Sequence, residues 1–150
     1  MMVMVLGATG AGFSQAQNPE CMTNLSIYAE HAKVKNYEAA YTPWKMVYDA
    51  CPGINKANYS YGEKILQHKI DNSSGAEQQA YIKDLLALYD KSTEYFPKNY
   101  TKSDIASDKA SLLYDNKMAS DDELYAMLSS AFNEDRENFD NPKALYLYFS

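Results

Sequence analysis

The side chains able to do acid–base or metal chemistry are few in this chain, and their spacing is poor for it. His31 and His68 are the only imidazoles, and neither has a second ligand at the spacing of a zinc site. We interpret His31 as a groove or core residue and His68 as a surface residue. No G-x-S-x-G and no cysteine–histidine–acid grouping occurs, so the sequence predicts no catalytic residue, no metal site and no cofactor.

An acidic run from Asn133 to Asn138 is the remaining candidate for a metal site. Three carboxylates surround Arg136 in this run, but it lacks the glycine and the alternating oxygen ligands of a calcium loop. We interpret it as a solvated helix end. Paired carboxylates that cleave glycosides are defined by their separation in space, and nothing in the sequence singles out such a pair.

Charge and composition exclude several classes of partner. The net charge of -6 over 150 residues repels phosphate backbones and anionic membranes, and no basic patch offsets it. Hydrophobic residues make up 46% of the chain and aromatic residues 13%, which is enough for one buried core. The 14 tyrosines favour half-buried rings. We therefore expect a folded protein that binds no nucleic acid.

The first 16 residues differ in character from the rest of the chain. Met1 to Phe13 is apolar or glycine-rich, and Ser14 to Ala16 offers the small side chains that a signal peptidase needs. The apolar run is shorter than the roughly 20 residues of a membrane-spanning helix, and no later run is longer, so no transmembrane segment is expected. We interpret residues 1–16 as a signal peptide for export to a periplasm. A signal peptide normally begins with positive charge, which this chain lacks before Lys33. The alternative interpretation of residues 1–16 is a buried N-terminal helix.

From Met22 onward, apolar residues recur three and four apart, which predicts an all-α chain over residues 17–150. The predicted helices cover about 22–35, 36–50, 58–70, 76–96 and 102–114, followed by one helix after Ser120 and another after Asn141. Ser120 and Glu123 predict a capping box. Pro43 either bends the second helix, which we favour, or lies in the first turn of a helix that begins at Thr42.

The apolar residues from Leu145 to Phe149 need cover from another element. We therefore expect residues 17–150 to be the N-terminal part of a longer protein. The two cysteines lie at neighbouring ends of the first predicted hairpin, because Cys21 precedes its first helix and Cys51 ends its second. Export favours oxidation of such a pair, so we predict a Cys21–Cys51 disulfide that closes a loop of about 30 residues.

Five residues from Tyr37 to Pro52 have a distinctive order and spacing. Tyr37, Ala40, Trp44 and Val47 share one helix face, on which small Ala40 lies beside large Trp44. Pro52 then ends the helix. This pattern resembles the second helix of the tetratricopeptide repeat. A looser copy contains Gly62, Leu85, Tyr89 and Pro97, and a third, over residues 102–133, keeps only the hairpin pattern.

The resemblance implies antiparallel helical hairpins stacked as a short tetratricopeptide-like solenoid. In that family the concave wall holds a peptide or partner protein, without catalysis. With its export signal and early cysteine pair, the chain looks like periplasmic tetratricopeptide proteins of the Bacteroidota. Mapping the family's groove-lining positions predicts four ligand contacts: Lys33, Tyr59, Glu63 and Gln67. Solvated polar residues on an open face are the alternative interpretation of that set.

Two functions compete on these grounds. The first is a non-enzymatic scaffold of the cell envelope that binds a protein or peptide. The alternative is a glycan-binding helical protein, because tyrosine and tryptophan faces stack on sugar rings; its first rings to test would be Tyr59, Tyr61, Tyr95 and Tyr100. An enzyme comes third and would need residues in a further C-terminal part.

Overall fold

The computed structural model describes residues 18–150, and every regular element among them is helical. The elements are α1 (Pro19–Lys33), α2 (Tyr37–Ala50), α3 (Ala57–Asp71), α4 (Gly75–Tyr95), α5 (Lys102–Asp115), α6 (Asp121–Glu134), a 3-10 turn (Arg136–Asn138) and α7 (Pro142–Phe149). The all-α prediction is confirmed. The predicted signal peptide, residues 1–16, lies outside the described residues.

The chain forms two compact units, of which unit 1 ends at Ser73 and unit 2 runs from Ser74 to Ser150. In unit 1, α1 and α2 form a hairpin and α3 packs against both. In unit 2, α5 and α6 form a hairpin, α7 packs against both, and α4 packs against α5. Each unit therefore has consecutive helices packed against each other in repeat-like order. None of the helices described between residues 19 and 149 is both long and apolar enough to cross a membrane.

Side-chain caps explain where the first two helices begin. Asn18 Oδ1 accepts hydrogen bonds from the backbone N–H groups of Glu20 and Cys21, and Asn36 Oδ1 accepts one from Ala39. Such caps satisfy donors that have no partner inside the helix. Because α2 begins at Tyr37 and runs through Pro43, the alternative start at Thr42 is wrong.

The core of unit 1 is organised around Asn58, whose side chain is fully buried. Its Oδ1 accepts a 2.6 Å hydrogen bond from the Tyr28 hydroxyl on α1, and its carbonyl accepts a 2.8 Å bond from Trp44 Nε1 on α2. Its Nδ2 donates to the carbonyl of Cys51 at 3.1 Å. Burial raises the pKa of Tyr28, so its hydroxyl stays protonated and can donate. The single residue Asn58 thus links all three helices of unit 1.

The predicted Cys21–Cys51 disulfide is present and buried, with the two Cα atoms 6.5 Å apart. It joins the start of α1 to the residue that follows α2. A disulfide is typical of an oxidising, exported environment.

In unit 2, hydrogen bonds join the corresponding ends of the α5–α6 hairpin. The backbone N–H of Ser103, near the start of α5, donates to Asp135 Oδ2 at 2.9 Å. The Ser103 hydroxyl donates to the Asp135 carbonyl at 2.6 Å. Asp135 directly follows α6, as Cys51 follows α2. We call the Cys21–Cys51 and Ser103–Asp135 contacts the two clasps.

The helix ends alternate between two backbone geometries. The first helix of each hairpin ends at a residue with φ near -100°, namely Val34 (φ -98°, ψ 14°) and Asn116 (φ -102°, ψ 7°). The next residues, Lys35 and Lys117, have φ of 61° and 54°. This left-handed position usually holds glycine. The second helix of each hairpin ends instead at a residue with a more negative φ and a larger ψ, namely Cys51 (φ -135°, ψ 61°) in unit 1 and Asp135 (φ -144°, ψ 51°) in unit 2.

The geometry of these ends repeats once more along the chain. α3 ends at Asn72 (φ -108°, ψ 17°), which has the geometry that ends α1 and α5. α4 ends at Phe96 (φ -135°, ψ 61°), which has the geometry that ends α2 and α6. Alternate helices therefore end alike, as expected for a chain built from a two-helix repeat.

The disulfide is expected to stabilise unit 1 selectively. Replacing both cysteines (Cys21→Ser with Cys51→Ser) should lower its free energy of unfolding by about 3 to 4 kcal/mol on the chain-entropy model. Trp44 is the single tryptophan of the chain and is buried in unit 1. Its fluorescence during urea unfolding therefore reports on unit 1, while far-UV circular dichroism reports on both units.

A thiol reductant supplies the matched control for this experiment. It should shift the fluorescence transition of the native protein to lower urea and leave that of the double variant unchanged. An unchanged fluorescence midpoint in the double variant would show that the disulfide does not stabilise unit 1.

The clasp of unit 2 is expected to weaken in acid. The hydrogen bond from the Ser103 backbone, followed by that from the Asn138 side chain, lowers the pKa of Asp135 below its ordinary value of 3.8. A carboxylate with a lowered pKa stabilises the folded state above its ordinary pKa, and this stabilisation is lost as the pH falls through the folded-state value. The variant Asp135→Asn keeps an oxygen acceptor for Ser103 but cannot ionise.

The variant should therefore lose less of its thermal stability than the native protein between about pH 6 and about pH 3, as followed by circular dichroism. Glu137→Gln, which removes an exposed carboxylate from the neighbouring 3-10 turn, is the control. Equal acid sensitivity of Asp135→Asn and the native protein would contradict the role assigned to this clasp.

Candidate functional site

The four predicted ligand contacts lie on α1 and α3 of unit 1, and one of them is unsuited to binding. Tyr59 is only 1% exposed, and its hydroxyl donates to the Pro52 carbonyl at 2.8 Å. This burial leaves no ring surface for a ligand, so the assignment of Tyr59 to a binding wall is wrong. The hydrogen bond to Pro52 instead makes it a core residue that orients the start of α3.

The other three predicted contacts keep part of their side chains at the surface. Lys33 is exposed at the end of α1 and forms a 2.8 Å ion pair with Glu30, which raises the pKa of Lys33. Gln67 is exposed and donates to Asp71 at 2.9 Å, while Glu63 is half-buried. α1 and α3 pack against each other, so these residues occupy neighbouring helices. Ligand contact at Lys33, Glu63 and Gln67 stays a prediction.

The tyrosines singled out for glycan stacking differ widely in exposure. Tyr59 is buried as described, and Tyr61 is half-buried with its ring 6.4 Å from that of Tyr28 in an edge-to-face contact. Tyr95 is 37% exposed at the end of α4, and Tyr100 is half-buried. Stacking on these rings would therefore depend mainly on Tyr95.

His68 lies on α3, and its side chain contacts the first turn of α2. Its Nε2 lies 3.4 Å from the Glu38 carboxylate, and its ring centroid is 5.9 Å from that of Tyr37. His31 is half-buried on α1. Within the part of the chain that the structure describes, no three His, Cys, Asp or Glu side chains form a group able to hold a metal ion.

A different feature stands out in unit 2, a groove of about 590 Å³ between the start of α6 and the end of α7. Its lining includes six residues on which the argument below depends, and we call it the α6–α7 groove: Tyr114, Asp121, Asp122, Tyr125, Tyr146 and Phe149. Several of its rings are strongly exposed, with 54% of Tyr125, 67% of Tyr146 and 65% of Phe149 open to solvent. Aromatic side chains exposed together in one concave site typically mark a binding surface.

Local capping holds the acidic wall of the groove in place. The Ser120 backbone N–H donates to Glu123 Oε2 at 2.7 Å, and the Glu123 N–H donates to Ser120 Oγ at 3.2 Å. The predicted capping box is therefore confirmed. It places Asp121 and Asp122 in the first turn of α6, where the helix dipole favours negative charge.

The opposite wall belongs to α7, which begins as the sequence predicts. Asn141 Oδ1 accepts hydrogen bonds from Lys143 and Ala144, each at 3.0 Å, and Pro142 is the first helical residue. Lys143 also pairs with Asp115 at the end of α5 and lies 5.7 Å from the ring centroid of Tyr114. These contacts tie the start of α7 to the end of α5.

A cluster of packed rings forms the floor beside the groove. The Tyr148 ring stacks on Tyr125 with centroids 5.2 Å apart, and it lies 5.1 Å from Phe132 and 5.8 Å from Phe139. Phe139 is only 5% exposed. The exposed rings of Tyr125 and Phe149 therefore rest on packed rings, which limits the entropy that they lose when a ligand binds.

The charge of the groove is acidic. Its lining contains Asp121 and Asp122 and neither lysine nor arginine. A second groove of about 450 Å³, across α5 between α4 and α6, contains Lys102 and Lys109. Both of those lysines pair with carboxylates, on Glu134 and Asp90, so their charge is largely compensated. The α6–α7 groove therefore combines exposed aromatic rings with negative charge that no lining lysine or arginine compensates, unlike the second groove.

No protein-family model matches the chain, and no curated protein or solved structure matches it. The function is therefore argued from the residues and their geometry.

The residues of the α6–α7 groove were not among those predicted to bind a ligand. One signal did point to them, since the apolar run from Leu145 to Phe149 was expected to need cover from another element. Residues 146–149 line the groove, where Tyr146 and Phe149 keep most of their surface in solvent. The sequence alone favours the interpretation that a further part of a longer protein covers this run. Exposed rings in a concave site are equally typical of a binding surface.

The exposed rings should be nearly dispensable for folding. Tyr146→Ala should change the free energy of unfolding by less than about 0.5 kcal/mol, because this ring is mostly in solvent. Phe139→Ala should cost about 3 kcal/mol or more, because it empties a packed site in the same unit. Urea unfolding followed by circular dichroism measures both, and equal losses would assign Tyr146 to the core rather than to a binding surface.

Proposed function

We propose that this protein is a non-enzymatic interaction module of a bacterial cell envelope, which binds a protein or peptide partner through the α6–α7 groove. The observation that carries the proposal is the exposure of Tyr125, Tyr146 and Phe149 in one concave site. Aromatic residues are enriched at the centres of protein interfaces, where they bury large areas at a low cost in side-chain entropy.

The composition of the groove favours binding over catalysis. Its lining consists of aromatic rings, leucine, aspartate and serine. A site for nucleophilic chemistry needs a nucleophile and a base within hydrogen-bond reach. The one serine of the lining, Ser150, donates its hydroxyl to the Leu147 carbonyl and not to either aspartate.

The proposal includes a tetratricopeptide-like repeat and a periplasmic location. The spacing of Tyr37, Ala40, Trp44 and Val47 supports the repeat, as does the alternation of helix-end geometry. The buried Cys21–Cys51 disulfide supports an oxidising compartment. Resemblance to periplasmic proteins of the Bacteroidota remains the reason for naming that group.

Glycan binding is the second candidate, and the same groove favours it for a specific reason. Asp121 and Asp122 line the site together with exposed tyrosine rings. Rings of this kind stack on the apolar faces of sugars, and carboxylates accept hydrogen bonds from sugar hydroxyls. We rank it second because exposed tyrosine and phenylalanine rings clustered in one site are more typical of protein interfaces.

A photocrosslinking residue at position 146 of the exported protein tests the proposal directly. Irradiation of living cells should produce a defined protein adduct from the groove. The same residue at position 95, which is also a partly exposed tyrosine of unit 2, is the control and should not produce that adduct. Absence of an adduct at 146, or the same adducts from both positions, would count against the proposal.

Glycan arrays separate the two candidates. Binding of one glycan class that is lost in both Tyr125→Ala and Tyr146→Ala would favour the glycan function. Binding that survives both substitutions would exclude this groove as the glycan site.

A further inference from the structure

The start of α3 has less local capping than the starts of α1 and α2. The residue at its cap position is Lys56, whose side chain makes no capping hydrogen bond. One neighbouring side chain contributes, since Asn55 Oδ1 accepts a 2.8 Å bond from the backbone N–H of Ala57. A side-chain acceptor at the cap position is what usually fixes a helix start. The position of α3 therefore depends more heavily on bonds from its own side chains to residues outside the helix.

Two buried side chains in the first turn of α3 make those bonds. Asn58 Nδ2 donates to the carbonyl of Cys51 at 3.1 Å, and the Tyr59 hydroxyl donates to the carbonyl of Pro52 at 2.8 Å. Both side chains are at most 1% exposed, so water does not replace these bonds when they break. The two acceptors are successive carbonyls in the connection that follows α2, and the first belongs to a disulfide-bonded cysteine. The start of α3 is thus bonded to a segment that the disulfide holds.

The disulfide and Asn58 belong to one closed ring of bonds. The disulfide joins Cys51 to Cys21 on α1, and Tyr28 lies about two helical turns further along α1. The Tyr28 hydroxyl donates to Asn58 Oδ1 at 2.6 Å, and Asn58 Nδ2 closes the ring at the Cys51 carbonyl. The oxygen and nitrogen of an amide have a fixed separation, so both bonds form only when the hydroxyl and the carbonyl are correctly spaced. The disulfide maintains that spacing, because it holds the start of α1 beside the residue that follows α2.

We propose that formation of the Cys21–Cys51 disulfide docks the start of α3 onto the α1–α2 hairpin, so that unit 1 contains an oxidation-dependent conformational switch. In the dithiol form, the start of α1 and the end of α2 separate, and Asn58 loses its bond to one of them. A buried amide without its partners is unfavourable, so the start of α3 leaves the core. Unit 2 does not respond, because its clasp consists of hydrogen bonds alone.

The oxidant that this switch requires is an exchangeable disulfide. The thiolate of one cysteine attacks it, which forms a mixed disulfide and releases one thiol. The thiolate of the other cysteine then attacks the sulfur of the first and releases the second thiol. Cys21 and Cys51 lose two electrons and two protons, and the oxidant gains them. Both cysteines are at most 3% exposed in the docked form, so exchange takes place in the open form and docking then shields the product from reduction.

The test reduces the full chain completely and then oxidises it with glutathione disulfide. Hydrogen–deuterium exchange with mass spectrometry follows the amides of each helix, and alkylation follows the free thiols. Amides in the first half of α3 should exchange about tenfold or more faster in the dithiol form than in the disulfide form. Their protection should return at the rate at which thiols disappear. Amides of α5 and α6 should change by less than about twofold, because unit 2 lacks the disulfide.

Variants show whether the disulfide acts through Asn58. Asn58→Ala breaks the ring without changing the cysteines, so oxidation should alter exchange in α3 by less than about twofold. Tyr28→Phe removes one hydroxyl and keeps the ring packed; it should reduce the effect of oxidation as well, and it serves if Asn58→Ala does not fold by circular dichroism. Leu66→Ala is the matched control, because Leu66 is buried on α3 and makes none of these bonds. In this control, oxidation should still slow exchange about tenfold, since independent effects add.

Three results would overturn the switch. The first is equal protection of α3 in the fully reduced and the oxidised chain. The second is an effect of oxidation that is as large in Asn58→Ala as in the native protein, because the disulfide would then act without the ring. The third is loss of protection throughout α1, α2 and α3 in the reduced chain, because the disulfide would then be needed to fold unit 1 as a whole. None of these results bears on the α6–α7 groove, which the crosslink at position 146 tests separately.

Discussion

Unit 1 depends on one buried amide. The Asn58 side chain accepts from Tyr28 and donates to Cys51, and its backbone carbonyl accepts from Trp44, all inside the buried core. A buried polar group that is hydrogen-bonded to several helices favours one arrangement of them, because a shift breaks these bonds where no water replaces them. These bonds fix the start of α3 relative to Tyr28 on α1 and Trp44 on α2.

The sequence predicted the helices well because their determinants are local. Ser120 with Glu123 and Asn141 with Pro142 act within one turn, and the spacing of Ala40, Trp44 and Val47 marks one face of one helix. The disulfide was predictable for a related reason, since a short connection brings the outer ends of two helices together.

The candidate site was harder to predict because it depends on contacts between elements. The spacing of Tyr59 matches a groove-lining position of the tetratricopeptide family. Its ring is nevertheless buried in the core, where its hydroxyl donates to the Pro52 carbonyl. Tyr125 and Tyr146 become one surface only through the packing of α7 on α6. Neither outcome is encoded in the spacing along a single helix.

The two clasps also differ in when they can form. Ser103 and Asp135 meet as soon as the backbone of unit 2 folds, and nothing outside the chain is consumed. Joining Cys21 to Cys51 removes two electrons and two protons from a pair of thiols, which requires an external electron acceptor. Unit 2 can therefore complete its folding without a redox partner. Unit 1 reaches its final covalent structure only after an oxidant has formed its disulfide.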